Sequence, residues 1–120
     1  MSKLCPADFD KRYPHVPKDI GTDCAILFKL SGCHWCGEMQ QVWDKLNKTI
    51  GFMSLYTFCV DENTENMQHW EKIKKRLKNS DQLDGFPIVM LYSLSGRVVV
   101  YPGFQEYDEM KNKMIKFSKN

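Results

Sequence analysis

Two cysteines separated by two residues are the part of the sequence whose chemistry can be specified most closely. Cys33 and Cys36 enclose His34 and Trp35. A residue three positions further along a helix lies about one turn away, which is within reach of a disulfide bond. Such a pair can attack a disulfide with one thiolate and release the product with the other. We therefore take Cys33 as the candidate nucleophile and Cys36 as its resolving partner.

The elements around the pair predict where its first sulfur lies. An almost continuous apolar run at residues 25–30 predicts a buried strand that ends shortly before Cys33. From Trp35 onward the apolar residues recur at helical spacing, and we expect Gly51 to end this helix. Cys33 then stands at a helix N-terminus, where unpaired backbone N–H groups and the helix dipole favour the thiolate.

The histidine between the cysteines has two interpretations. A protonated imidazole of His34 beside Cys33 would stabilise the thiolate further and make the disulfide a stronger oxidant. Alternatively, the ring points into solvent and has no effect on the sulfur. Adjacency in sequence does not fix the position of the ring, so both interpretations stay open.

Further apolar runs complete the order strand, helix, strand, helix, strand, strand, helix. Residues 53–60 predict a strand. A helix follows, with apolar residues at helical spacing, namely Met67, Trp70, Ile73 and Leu77. Residues 87–92 and 98–101 predict an antiparallel pair, and a last amphipathic helix starts near Tyr107. The first half is a βαβ unit, which makes a parallel pair. We predict an α/β fold with a mixed sheet of four or five strands and helices on both faces.

The N-terminal segment differs from the rest of the chain. Residues 1–23 are polar and contain three prolines, which argue against a helix or a central strand. We predict that they form an extension or cover, and that residues 24–120 form a single domain. Cys5 and Cys24 flank the segment and could pair to hold it in place, but sequence does not fix their Cα separation.

The composition excludes several classes of protein. The chain has 17 basic and 15 acidic residues, a net charge of +2, which is too near neutral to suggest nucleic acid or an anionic membrane as the main partner. No run is long and apolar enough to span a bilayer, and the N-terminus lacks the apolar region of a signal peptide. Five cysteines, an odd number, make a poor disulfide framework. We expect a cytoplasmic monomer without a cofactor.

Zinc binding is the alternative for the cysteine pair. A structural zinc site needs four ligands, usually from two such pairs. The other cysteines are scattered, and His15 and His69 lack the spacing of ligands. Cys59 falls in a predicted central strand, so we interpret it as a small core residue. We therefore favour redox chemistry and expect no metal ligands.

In these features the chain resembles the thioredoxin superfamily over residues 24–118. The matching pieces are the strand at 25–30, the motif Cys33-His34-Trp35-Cys36 with its helix, the dipeptide Phe86-Pro87 before a strand, and Gly103 after the hairpin. The resemblance implies a thiol–disulfide oxidoreductase that acts on protein substrates and is recycled by an upstream redox partner protein. It implies a cis peptide bond before Pro87 and substrate contacts at Phe86, Pro87 and Gly103. Trp35 would add apolar contact surface, or would simply pack against the first helix.

The chain also departs from the pattern of thioredoxin itself. His34 and Trp35 stand where Gly-Pro is usual. Leu27 replaces the buried acid that lies six residues before the nucleophile in the family, and Gly32 replaces the aromatic residue just before it. The group that would deprotonate Cys36 is therefore missing. A second hypothesis stays open, namely a binding module of the same fold whose redox turnover is incidental.

Overall fold

A mixed four-stranded sheet forms the centre of the computed structural model, which describes residues 3–18, 21–77, 83 and 85–119. The strands are β1 (Cys24–Lys29), β2 (Ser54–Cys59), β3 (Ile88–Tyr92) and β4 (Val98–Pro102). The α-helices of the described residues are α1 (His34–Thr49), α2 (Thr64–Arg76) and α3 (Tyr107–Lys119). The predicted order of elements and the α/β fold with a mixed sheet are confirmed.

The order of strands in the sheet is β2-β1-β3-β4, which makes β1 a central strand. β1 runs parallel to β2, with Leu27 opposite Thr57, and antiparallel to β3, with Leu27 opposite Val89. Because β1 has neighbours on both edges and helices on both faces, residues 24–28 are all buried. The parallel pair and its helical connection α1 are the predicted βαβ unit.

The two faces of the sheet have different cores. Alternate residues of a strand point to opposite faces, so Leu27 packs under α1 and α3, whereas Phe28 packs under α2. The first core contains four buried methionines and one tryptophan, namely Met39, Met53, Met110, Met114 and Trp43. The second core is rich in aromatic rings, including Phe28 and Trp70, whose centroids are 4.9 Å apart. No helix of the described residues is long and apolar enough to cross a membrane.

The N-terminal segment takes part in the second core. Lys3 forms an isolated parallel bridge with Thr57 on the outer edge of β2, and the sheet of the described residues keeps four strands. Phe9 is 1% exposed and packs against Phe58 and His69, with centroid distances of 5.6 and 4.5 Å. The described part of the predicted cover therefore contributes buried aromatic surface. The boundary at residue 23 stays a prediction.

Two predictions about helix positions were wrong. Trp70 and Ile73 are buried on one side of α2, as expected, but Met67 is 53% exposed. Asn66 takes the place of Met67 on the buried side. Gly51 does not end α1: the helix stops at Thr49, and the capping residue is extended with φ −96°. The chain leaves this helix without the left-handed conformation that favours glycine.

Two interpretations of the remaining cysteines also change. Cys59 is half-buried, since β2 lies at an edge of the ladder and not at its centre. Cys5 and Cys24 are both free thiols. The N-terminal segment pairs with β2 at Thr57, whereas Cys24 is opposite Ser54. Thr57 and Ser54 are three residues apart along β2, a distance of about 10 Å. Cys24 therefore lies too far along the sheet for a disulfide with Cys5.

Candidate active site

The connection between β1 and α1 places Cys33 at the N-cap of the helix. Gly32 has a φ of +68°, in the left-handed region that favours glycine, and this conformation lets the chain turn from strand to helix. The backbone N–H of Cys36 donates to Cys33 Sγ at 3.2 Å. A sulfur that accepts a backbone N–H at a helix N-terminus is in the environment that stabilises a thiolate.

Cys33 and Cys36 are joined as a disulfide, with Cα atoms 5.1 Å apart. Their exposure differs. Cys36 is 2% exposed and lies within the helix, whereas Cys33 is half-buried. An approaching molecule can therefore reach the sulfur of Cys33 more readily than that of Cys36. This asymmetry agrees with the predicted roles of nucleophile and resolving thiol.

The loop before β3 brings a second segment to the disulfide. The Phe86–Pro87 peptide bond is cis, and the carbonyl oxygen of Phe86 lies 3.9 Å from Cys33 Sγ. Pro87 is buried, and its carbonyl oxygen accepts the N–H of Gly103 at 2.8 Å. Gly103 has a φ of +87°, again in the region that favours glycine. Three predicted site residues from distant parts of the chain thus lie beside the cysteine pair.

A shallow groove of about 250 Å³, which we call the apolar groove, runs beside the disulfide. Its walls are Trp35, Phe86, Pro87, Gly103 and Phe104. Trp35 is 54% exposed, and its ring lies 5.3 Å from that of Phe104. Trp35 therefore lies at the surface of the groove and is not buried against the first helix. Phe104 was missed in the sequence, where the only signal was an aromatic residue next to Gly103.

His34 is exposed on the surface. Its ring nitrogens make no hydrogen bond to another of the described residues. Its ring meets that of Trp35 edge to face, with centroids 5.1 Å apart. His34 thus contacts a residue of the apolar groove without lining the groove itself. A role in tuning the sulfur stays a prediction.

Asp61 holds the loop that precedes the cysteine pair. Its carboxylate accepts the N–H of Ser31 at 2.9 Å and the hydroxyl of Ser31 at 2.7 Å. These bonds lower the pKa of Asp61, the hydroxyl bond contributing most. The thiol of Cys59 donates to the same carboxylate at 3.4 Å. Sequence reasoning missed Asp61, because the contact joins residues 30 positions apart.

The position of the family's buried acid is apolar in this chain. Leu27 is fully buried in the core under α1. The nearby Lys29 extends towards α1, where its Nζ donates to Gln40 Oε1 at 2.7 Å. No cluster of three or more His, Cys, Asp or Glu side chains suited to a metal ion occurs within the residues that the structure describes.

Comparison with known proteins gives a fold but no close relative in sequence. No protein-family model and no curated protein matches the sequence significantly. Chloroplastic thioredoxin z matches the structure with a TM-score of 0.69 at 13% identity, over 100% of this chain and 96% of its own. Thioredoxin-2, a component of the protein secretion machinery of the malaria parasite, matches with a TM-score of 0.61 at 16% identity, over 79% of this chain and 82% of its own. This chain has a thioredoxin-like fold.

At these identities the likeness concerns the fold, and the chemistry must be argued from this chain's own residues. The thioredoxin-like fold explains why Cys33, the cis Pro87 loop and Gly103 meet at one end of the sheet. The expected resemblance is confirmed at this level. The roles of the individual site residues are argued below.

Proposed function

We propose that the chain is a thiol–disulfide oxidoreductase that acts on cysteines of other proteins. One observation carries the proposal: the half-buried sulfur of Cys33 accepts a backbone N–H at the start of α1, directly beside the buried Cys36. This arrangement favours the thiolate on the accessible sulfur and keeps the second sulfur for an internal step.

The exchange reaction then has two steps. In the reduced protein the Cys33 thiolate attacks one sulfur of a substrate disulfide, so the substrate S–S bond breaks and one substrate thiolate leaves. Cys36 loses its proton to solvent and attacks Cys33 Sγ, which releases the second substrate thiolate. The substrate gains two electrons, and the pair is oxidised to the disulfide. The same steps in reverse oxidise a substrate dithiol, and an upstream redox partner protein restores the starting state.

The apolar groove supports a polypeptide substrate. Trp35 and Phe104 offer aromatic surface beside the sulfur, and the Phe86 carbonyl oxygen lies 3.9 Å from it. A peptide segment next to its own cysteine could place an apolar side chain in the groove and a backbone N–H on that carbonyl. We assign Trp35, Phe86, Pro87 and Gly103 to substrate binding on this basis.

His34 gives an expected direction for the redox potential. A cation beside Cys33 stabilises the thiolate and hence the reduced form, which makes the disulfide more oxidising. We expect a potential above that of thioredoxin, which is roughly −270 mV. Equilibration of the protein with glutathione buffers measures this value. A potential at or below that of thioredoxin contradicts the tuning role of His34.

A trapping experiment tests the function directly. The Cys36→Ser variant should accumulate mixed disulfides with substrate proteins through Cys33, because the releasing thiol is absent. The double variant Cys33→Ser/Cys36→Ser should trap none, and Cys24→Ser should behave as the parent protein. If Cys36→Ser reacts with protein disulfides no faster than a small thiol does, the proposal is wrong.

A binding module is the second candidate, and Leu27 is the observation that favours it. No carboxylate stands at this buried position to take the proton of Cys36, which would slow the second step. A binding module should retain its partner when both Cys33 and Cys36 are serine. An oxidoreductase should lose its trapped partners in the same variant.

We also propose a cytoplasmic location, with a redox partner protein in the same compartment and no nucleic-acid or membrane partner. The free thiols Cys5, Cys24 and Cys59 support it, because a reducing compartment keeps such thiols unpaired. Fractionation of cells that express the tagged chain would test this placement.

A further inference from the structure

The register between the N-terminal segment and β2 brings two free cysteines to the same level. Lys3 forms a parallel bridge with Thr57, and the N–H of Leu4 donates to the Thr57 carbonyl at 2.8 Å. Cys5 follows Lys3 by two residues, and Cys59 follows Thr57 by two. Cys5 is extended, with φ −126° and ψ 170°, and Cys59 ends β2. The bridge at Lys3 is isolated, but the extended backbone of Cys5 continues from it, so equal steps along the two segments predict a Cα separation of about 5 Å.

The alternation of side chains predicts that both cysteines face the same side of the sheet. Leu4 and Phe58 belong to the core under α2. Successive side chains of an extended segment alternate between faces, so Cys5 and Cys59 both point to the opposite face. A Cα separation of about 5 Å lies within the range of roughly 4.4–6.8 Å that disulfides require. The register therefore predicts a second pair of thiols within reach of each other.

The surroundings of Cys59 agree with this placement. The pKa of Lys3 is raised by its hydrogen bond and ion pair with Glu62, and to a smaller extent by the Cys59 thiol. The ammonium group of Lys3, two residues before Cys5, therefore lies near this sulfur. Cys5 is exposed and Cys59 is half-buried, so a dissolved oxidant reaches Cys5 first.

We propose that Cys5 and Cys59 form a second, reversible disulfide that fastens the N-terminal segment to the edge of β2 when the chain meets a small-molecule disulfide such as oxidised glutathione. The Cys5 thiolate attacks the oxidant, its S–S bond breaks, and one glutathione thiolate leaves. Cys59 then loses its proton to solvent and attacks Cys5 Sγ, which releases the second glutathione. Two protein thiols are oxidised by two electrons, and one oxidised glutathione becomes two reduced glutathiones.

This disulfide connects the N-terminal segment with the loop that carries Cys33. The Cys59 thiol donates to Asp61, which also accepts two hydrogen bonds from Ser31. A disulfide at Cys59 removes that S–H donor from the carboxylate. Oxidation of the second pair thus changes the hydrogen bonding of the carboxylate that holds Ser31, two residues before Cys33.

Peptide mapping under non-reducing conditions tests the proposal, because tryptic cleavage separates all the relevant cysteines. Cys5 falls in peptide 4–11, Cys24 in 19–29 and Cys59 in 49–72, while Cys33 and Cys36 share peptide 30–45. The full chain with Cys33→Ser and Cys36→Ser would be incubated with oxidised glutathione and digested. We expect peptides 4–11 and 49–72 to be linked as the main disulfide product and to separate on reduction.

Matched variants make the outcome decisive. Cys24→Ser should leave the linked product unchanged, and Cys59→Ser should leave glutathione on Cys5 without a link. The proposal is overturned if Cys5 carries only glutathione in the parent protein or becomes linked to Cys24. If the serine variants fold poorly, the same digestion of the wild-type chain serves, since the disulfide within peptide 30–45 does not interfere. The linked form should also unfold at a higher temperature than the reduced form.

Discussion

The two ends of β1 each carry a cysteine, and the two thiols have opposite environments. Cys33 follows β1 at the start of α1, half-buried, where its sulfur accepts a backbone N–H. Cys24 begins β1, 2% exposed, opposite Tyr92 in the neighbouring strand. Burial, followed by the charge of Asp23, raises the pKa of Cys24 to about 12. Burial also raises the pKa of Tyr92.

Solvation and backbone position therefore decide the chemistry of a thiol, and the residue type alone does not. Cys24 is 2% exposed at the wall of a cavity of about 220 Å³ with a mixed apolar and polar lining, and no backbone N–H donates to its sulfur within the described residues. A thiolate there would lose its hydration without compensation. At Cys33 the helix supplies the compensation. The same side chain is an inert core residue at one end and a candidate nucleophile at the other.

The largest expected effect is a difference in alkylation rate between these two thiols. With a pKa of about 12, Cys24 is ionised to roughly one part in 10⁵ at pH 7. Cys33 should be a thiolate to a far greater extent, so iodoacetamide should modify it at least about 10³-fold faster in the reduced protein. Timed alkylation with peptide mass analysis measures both rates.

Two controls sharpen this measurement. Unfolding in urea should bring the two alkylation rates within a few-fold of each other, because both environments are lost. Cys36→Ser should keep the fast reaction at Cys33, since the backbone N–H of residue 36 remains. Comparable alkylation rates for Cys24 and Cys33 in the folded protein would contradict the claim that their environments set their reactivity.

The second prediction concerns burial beneath the N-terminal segment. Phe9 is 1% exposed against Phe58 and His69. Phe9→Ala should lower the free energy of unfolding by about 3–5 kcal/mol, the usual cost of deleting a buried phenyl ring. Phe52, which is 43% exposed, is the matched control, and Phe52→Ala should cost less than about 1 kcal/mol. Urea unfolding followed by tryptophan fluorescence compares them. Equal costs would show that the segment is a loose cover.

The difference between Phe9 and Phe52 also shows what the sequence could predict. Hydrophobic spacing located every strand and helix to within a few residues, since those patterns are local. The pair Cys33 and Cys36 was found for the same reason. The burial of Phe9 depends on where a proline-rich segment returns to the sheet, and no local pattern contains that information.

The same reason explains which parts of the site were missed. The contact of Asp61 with Ser31 and that of Phe104 with Trp35 join separate elements. Neither is visible until the sheet order is known. Cys59 was misplaced because a strand pattern does not state whether the strand lies at an edge or at the centre.

The third prediction is a loss of stability in acid through His69. This residue is 8% exposed, and its Nε2 has no hydrogen-bond partner within the described chain. Burial lowers the pKa of His69, Lys72 lowers it further, and the carbonyl of Pro14 opposes them. The unfolded chain therefore binds a proton at higher pH than the folded one. Stability should be complete above about pH 6.5 and fall below it, by less than about 1.4 kcal/mol per pH unit.

Unfolding free energies between pH 7.5 and pH 5.5 measure this slope. His69→Phe, which keeps an aromatic ring between Phe9 and Phe58, should make the slope shallower. His15→Asn is the comparison, because burial and Arg76 lower the pKa of His15 in a more exposed position. Identical slopes in the parent and in His69→Phe would assign the acid sensitivity to other groups.

The smallest expected effect concerns the loop before Cys33. It tests whether the hydrogen bonds between Asp61 and Ser31 are needed for disulfide exchange. Asp61→Ala removes the acceptor of both Ser31 hydrogen bonds. The rate of disulfide exchange through Cys33 should fall about fivefold, the size expected when a hydrogen bond that orients a loop is lost. The neighbouring Glu62 contacts Lys3 and makes no bond to Ser31 in the described residues, so Glu62→Ala should leave the rate unchanged. If both variants exchange disulfides at the parent rate, the helix N-terminus alone is sufficient to position the sulfur of Cys33. The difference in reactivity between Cys33 and Cys24 would then depend on solvation and the backbone N–H, and not on the loop.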